Sequence, residues 1–150
     1  MREVADLAAL IRARAPDGAR FLTGIAGPPG AGKSTLAARL VDELGPEARL
    51  IPMDGFHYDN ALLATRGVLE RKGAPQTFDT GGFVALLTRL RAGEEAAIPV
   101  FDRAADLARA GADIVEQRHR LLVVEGNYLL LPDGAWGGVA PLLDLTVFLD

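Results

Sequence analysis

The sequence predicts a three-layer α/β domain, a mostly parallel sheet flanked by helices. Three observations carry this. Apolar runs alternate with stretches of helical period, as in strand–helix–strand units. Two of the runs, Leu121-Leu122-Val123-Val124 and Leu145-Thr146-Val147-Phe148-Leu149, are of the apolar, β-branched kind typical of central parallel strands covered on both faces. Between another apolar run and a helix-like run lies Gly27-Pro28-Pro29-Gly30-Ala31-Gly32-Lys33-Ser34. That is G-x-x-x-x-G-K-S in the strand-to-helix context a phosphate-binding loop requires.

The elements follow in order. Val4, Leu7, Ala8, Leu10 and Ile11 recur at helical spacing and predict an opening amphipathic helix. Pro16-Asp17-Gly18 ends it. Residues 21–26 form a buried strand, the glycine-rich loop follows, and a helix runs from Lys33 to Leu44 before Gly45-Pro46 stops it. Arg49-Leu50-Ile51-Pro52-Met53 is the next strand, although its proline suits a central position poorly. From Gly55 to Thr80 the chain is polar and irregular, with one helical turn at Asn60–Thr65; a loop-rich insertion of that length inside a compact domain is usually functional. Phe83, Leu86, Leu87 and Leu90 line one face of a helix over residues 82–91. Ala97–Phe101 is a short strand, and residues 102–120 fit no single period. Trp136 sits among glycines and reads as a hydrophobic plug between a loop and a helix before the last strand. His119, between Arg118 and Arg120, reads as part of a solvated turn.

Bulk composition narrows the function. The 150 residues suffice for one domain with a sizeable core. Net charge is -4 and no basic stripe stands out, so neither nucleic acid nor an anionic membrane is the expected partner. The absence of cysteine excludes disulfides, thiolate metal sites and a cysteine nucleophile, and fits a cytoplasmic location. The first residues carry acids early and lack a signal-peptide core. No apolar run has the length to span a bilayer. Two histidines far apart, His57 and His119, make a histidine-based metal site an unattractive reading.

Each residue type of the loop has a physical task. Glycines let successive N–H groups turn toward one centre, and the following helix adds the positive end of its dipole. Gly27, Pro28, Pro29, Gly30, Ala31, Gly32, Lys33, Ser34 and Thr35 are the candidate nucleotide contacts. Lys33 brings an ammonium to the outer phosphates, and the Ser34 hydroxyl is a magnesium ligand. Ligands of parallel sheets sit beyond the carboxyl ends of the strands. Two carboxylates fall there: Asp54 after the second strand and Glu125 after Val124. Glu125 suits the magnesium shell. Asp54, leading into the long loop, suits a base facing an acceptor. The alternative for each is a solvated residue at a strand-to-loop junction. Phosphoryl transfer also needs mobile cations, for which Arg66, Arg71, Lys72, Arg103 and Arg109 are candidates.

These residues resemble a known group. Gly27 to Ser34, Pro52 to His57, Arg71 to Asp79 and Val123 to Gly126 are similar to the uridine kinase, phosphoribulokinase and bacterial pantothenate kinase group. Asp54 to Ala61 is close to the pantothenate kinase pattern. With Pro99 to Ala104 and Glu125 to Leu130, the whole looks most like a bacterial nucleoside/nucleotide kinase-like subgroup, some of whose members are associated with fructose uptake. The resemblance implies a P-loop kinase that uses ATP and Mg2+ to phosphorylate a hydroxyl of a small metabolite. It implies Asp54 as catalytic base beside Lys33, with Ser34, Thr35 and Glu125 around the triphosphate and its magnesium. It implies an acceptor site drawn from Phe56, His57, Tyr58, Arg71, Lys72, Phe78 and Arg103 together with Asp54. Members of the group continue past the position of Asp150 into an arginine-bearing lid helix, a last strand and an adenine loop. A single kinase domain truncated at its C-terminus is therefore expected.

Several residues carry a second reading. His57 can meet substrate or simply build the loop, the aromatic rings of Tyr58 and Phe78 can pack the loop onto the core, and Arg71-Lys72 can be a solvated charged pair. The open edge of the last strand fits either a homodimer or the missing strand of the group. A GTPase-like switch is disfavoured, because no N-K-x-D follows and Glu125-Gly126 leads into Asn127-Tyr128-Leu129-Leu130 rather than a D-x-x-G segment. A non-catalytic nucleotide-binding remnant is the alternative to a kinase.

Overall fold

The strands converge on one end of a sheet because they run parallel and in register. The structure, a computed structural model, describes residues 2–150. In chain order it contains α1 (Arg2–Arg14), β1 (Phe21–Ala26), α2 (Lys33–Leu44), β2 (Ala48–Pro52), α3 (Asn60–Thr65), α4 (Thr80–Arg91), β3 (Ala96–Asp102), β4 (Leu107–Val115), β5 (Leu121–Gly126) and β6 (Leu145–Phe148). The main sheet has the order β2-β5-β1-β6, and every pairing in it is parallel. The register sets Ala26 beside Gly126 and Pro52 beside Glu125. The ends of β1, β2 and β5 thus lie side by side.

Each apolar run divides its side chains between two cores, because successive residues of a strand point to opposite faces. Leu22, Ile51, Leu122 and Val124 pack with Phe83, Leu87 and Trp136 on the α4 side. Phe21, Ile25, Leu121 and Val123 pack with Ile11 and Leu40 on the α1–α2 side. A fully buried Leu or Val contributes about 1.5–3 kcal/mol, so β1 and β5, buried at all six positions each, anchor both layers. The opening helix forms and buries Val4, Ala8 and Ile11, but of the other residues expected on that face Leu7 is half-buried and Leu10 is exposed. Pro52 is tolerated because it ends β2 at a sheet edge. Helix α4 starts two residues before the predicted position: the Asp79 carboxylate accepts the Gly82 N–H at 3.0 Å and caps it.

Four expectations are corrected. Residues 102–120, which fitted no period, hold β4, paired antiparallel with β3. Its sequence, Leu107-Ala108-Arg109-Ala110-Gly111-Ala112-Asp113, is largely exposed and lacks both strand propensity and alternation. Strand β6 lies at the sheet edge among the described residues, with Thr146 exposed and Phe148 58% exposed. Among the described residues, no α-helix stands between β5 and β6. Two 3-10 turns, Gly134–Gly138 and Ala140–Leu142, stand there, as three glycines and Pro141 dictate. His119 is on a turn but is buried, 1% exposed, because Arg20 and the β4–β5 connection close over it.

Candidate active site

The loop between β1 and α2 wraps the N-terminus of α2 without capping it. Gly32 occupies the N-cap at φ 94, a left-handed conformation that favours glycine. No side chain caps the helix, so the first-turn amides stay available to an anion. Lys33 is buried, and its ammonium donates to the Pro28 carbonyl at 2.9 Å. An ammonium has three donors; the other two find no protein acceptor among the described residues. The Ser34 hydroxyl donates to Glu125 Oε1 at 2.9 Å. This bond joins the loop helix to β5.

Glu125 is 7% exposed. Burial pushes its carboxyl above the ordinary glutamate range; the Asp54 charge adds to the rise, while the Ser34 hydroxyl and the Lys33 and Arg103 charges oppose it. Asp54 reaches the same place from β2. Register puts Pro52 opposite Glu125, and the 3-10 turn Met53–Phe56 then brings Asp54 around. The turn is held by His57, whose amide and ring Nδ1 both bond the Asp54 carbonyl, at 3.2 and 2.8 Å. A carbonyl only accepts, so Nδ1 carries a proton. The Arg103 guanidinium, from the turn of the β3–β4 hairpin, lies 3.9 Å from Asp54 Oδ2.

These groups surround one cavity of about 550 Å³. Pro29, Gly30, Gly32, Lys33, Ser34 and Thr35 form one wall, and Asp54, His57, Phe78, Arg103 and Glu125 the others. Of the predicted loop residues, Gly27, Pro28 and Ala31 are not part of the lining. Four of the proposed acceptor residues lie outside the lining. Phe56 packs on Phe83, with ring centroids 5.0 Å apart. Tyr58 lies under the Arg66 guanidinium at 5.0 Å. Arg71 is exposed. Lys72 is bound to Asp106 and Asn60, so the solvated-pair reading fails for it. Three lining residues fall within the quoted segments but were not singled out as site residues: Gly73, Gly126 and Asn127. Gly126 and Asn127 follow Glu125 directly, and that adjacency was the available signal. Gly73 is fixed by Tyr128, whose hydroxyl donates to the Gly73 carbonyl at 2.6 Å.

The chemistry of the donor set fits a metal–nucleotide pair. Uncapped amides and a buried ammonium suit phosphate oxygens. A serine hydroxyl bonded to a buried carboxylate suits a hard cation with oxygen ligands.

Residues 22–150 match the family described as Phosphoribulokinase / Uridine kinase family. A pantothenate kinase from Clavibacter michiganensis subsp. michiganensis is 33% identical over 138 residues, 87% of this chain and 43% of that protein. A Schizosaccharomyces pombe protein whose name proposes a uridine kinase is 38% identical over 141 residues, 87% of this chain and 60% of that one. The chain thus spans about half the length of such relatives. Among solved structures, a protein of Silicibacter sp. TM1040 whose name proposes a fructose transport system kinase superposes with a TM-score of 0.90. It is 42% identical and covers 97% of this chain, which spans 73% of it. Loop, strand order, paired carboxylates and these likenesses agree: the chain belongs to the phosphoribulokinase/uridine kinase family.

Proposed function

We propose that the chain transfers the γ-phosphoryl group of ATP to a hydroxyl of a small polyhydroxylated metabolite. The observation that carries this is the convergence of Lys33, Ser34, Asp54, Arg103 and Glu125 on one cavity. Lys33 and the first-turn amides of α2 hold phosphate oxygens. Ser34 and Glu125 would hold Mg2+, Glu125 through water, and the ion would neutralise charge on the phosphates. Asp54 accepts the proton of the acceptor hydroxyl as its oxygen bonds to the γ-phosphorus. The bond from that phosphorus to the bridging oxygen breaks, and ADP leaves. Arg103 offers a cation beside the developing charge. The likeness to the Silicibacter protein at 42% identity supports a free sugar as acceptor.

Asp54→Asn tests the roles. Transfer to a sugar, a nucleoside or pantothenate is followed by ADP release, and ATP·Mg affinity by titration. The variant is expected to lose about 10²- to 10⁴-fold in kcat, the usual worth of a positioned base. Its nucleotide affinity should stay within about threefold, since Asp54 is assigned to the acceptor. A variant as fast as the parent removes Asp54 from the chemistry. ATP binding with no transfer to any acceptor favours a nucleotide-binding module instead.

A further inference from the structure

The β3–β4 hairpin is anchored at its root and loosely held at its tip. At the root, Ile98 and Val115 are buried. Arg49 pairs with Asp113 and donates to the Ile114 carbonyl at 3.1 Å. Gly55 lies so close to the Pro99 carbonyl that any side chain would collide with it. Just beyond, the ladder is interrupted: register shifts between Ile98 and Val100, at Pro99, which has no N–H to give. From Arg103 to Asp106 the turn is exposed.

That turn carries Arg103 to Asp54, and one side chain holds it there. The Lys72 ammonium donates to Asp106 Oδ1 at 2.8 Å, to the Asp106 carbonyl at 3.2 Å and to Asn60 Oδ1 at 2.7 Å. All three of its donors are thereby used. It also lies 5.1 Å from the centre of the Phe101 ring. Asn60 completes the clasp by donating to Asp106 Oδ2 at 3.1 Å. Asp106 has φ 55, and it is the one non-glycine residue with positive φ among the described residues. Its left-handed turn offers both carbonyl and carboxylate to the same ammonium. Beyond the hairpin's own ladder and the Asp102 contacts to Ala105 and Arg109, no other hydrogen bond among the described residues joins residues 103–110 to the rest of the chain.

An exposed ion pair is ordinarily worth little. This one is sheltered on the lysine side: the Lys72 side chain is 18% exposed, against 62% for Asp106, and it serves three acceptors and a ring. The clasp joins three segments: the start of α3, the loop carrying Gly73 and Phe78, and the hairpin. Beneath it His57 lies between the Phe78 and Phe101 rings, with centroids 4.1 and 4.9 Å away. Releasing the clasp frees the hairpin to swing about Pro99 and takes Arg103 from Asp54.

We propose that Lys72 is a positioning residue: by clasping Asp106 it latches the hairpin over the cavity and sets Arg103 against Asp54. The proposal rests on the kinase reading only for its effect on turnover, and the latch itself is measured without it. The chain has no cysteine, so cysteines placed at Ala104 and at exposed Arg39 on α2 accept spin labels cleanly. Electron–electron distance measurement should give one narrow distribution in the otherwise unchanged chain. Lys72→Met and Asp106→Asn should each broaden it, and the double variant should broaden it no further than either alone. With ATP, Mg2+ and a sugar acceptor, each variant should lose about 10- to 100-fold in acceptor kcat/KM, the scale of a displaced positioning group. ATP affinity should be unchanged, because the clasp touches no residue of the phosphate loop. Asp106→Asn keeps a residue tolerant of positive φ and carries the test if Lys72→Met fails to fold. Narrow distributions in the folded variants overturn the latch, as does a loss confined to ATP affinity. A hairpin that loosens in a protein that phosphorylates nothing keeps the latch and sinks the kinase reading.

Discussion

Glu125 is a carboxylate in a poor place for one. It is nearly buried, close to Asp54, and stabilised by one hydroxyl. Its folded pKa is raised, so the folded protein binds more protons than the unfolded chain between the ordinary value of 4.5 and the raised value. Stability from this group is therefore full below 4.5 and is lost as pH rises through the folded pKa. Glu125→Gln, which still accepts from Ser34, should stabilise the nucleotide-free protein at pH 7 by about 1 kcal/mol. Calorimetry should register roughly 2–4 °C in Tm, with the gain gone near pH 4, while ATP·Mg affinity falls. An unchanged Tm would mean that Glu125 carries no burial cost. At this scale the sequence was legible where a motif or a strand end sets a residue's neighbours: the G-x-x-x-x-G-K-S spacing placed Ser34, and the rule that ligands gather at the carboxyl ends of parallel strands placed Asp54 and Glu125. It was illegible for Lys72 and His119. Their burial comes from segments far away in sequence, Asp106 for one and Arg20 for the other.

The elements are joined by polar staples that no local pattern announces. Arg20, just before β1, donates to the carbonyls of Leu90, Glu116 and His119 at 2.9, 3.0 and 3.0 Å, and to that of Glu94. One guanidinium thus ties the end of α4 to the β4–β5 connection. Arg20→Met keeps most of the stem packing and should cost about 2–3 kcal/mol in urea unfolding, since partly buried carbonyls lose a charged donor. A loss under about 0.5 kcal/mol, ordinary for a surface change, would make the staple ornamental. In the same turn, His119 Nδ1 accepts the Glu116 N–H at 2.9 Å, which requires a neutral ring. Burial, then the Arg118 and Arg49 charges, lowers its pKa below the ordinary 6.5. The unfolded chain then binds more protons than the folded one, so stability is present above pH 6.5 and is lost as pH falls through the folded value. Urea midpoints between pH 7.5 and 5.5 should decline more steeply in the parent than in His119→Gln. Parallel declines would show that the ring does not titrate with folding. Helices and central strands were legible because their periodicity reports burial on a fixed face. The hairpin was not, because β4 exposes alanine, arginine and glycine on both faces and so carries no period to read.

For the whole molecule, the sheet separates two cores and leaves its chemistry at one rim. The α1–α2 core grips the phosphate-loop helix from behind. The α4 core extends through Trp136, Phe78 and Tyr128 into the loop that lines the cavity. No helix among the described residues is long and apolar enough to cross a membrane. The layered arrangement was legible from the alternation of runs. The edge position of β6 was not legible from its apolar composition, which does not say how many neighbours a strand has. Trp136 is the one tryptophan of the chain, and its indole N–H donates to the Pro75 carbonyl at 3.1 Å. Its emission is therefore an intrinsic optical gauge of the loop that carries Pro75 and Phe78. Titration with a true acceptor should change its intensity or wavelength, whereas an inert sugar should leave the spectrum still, so the protein itself can sort candidate metabolites without a dye.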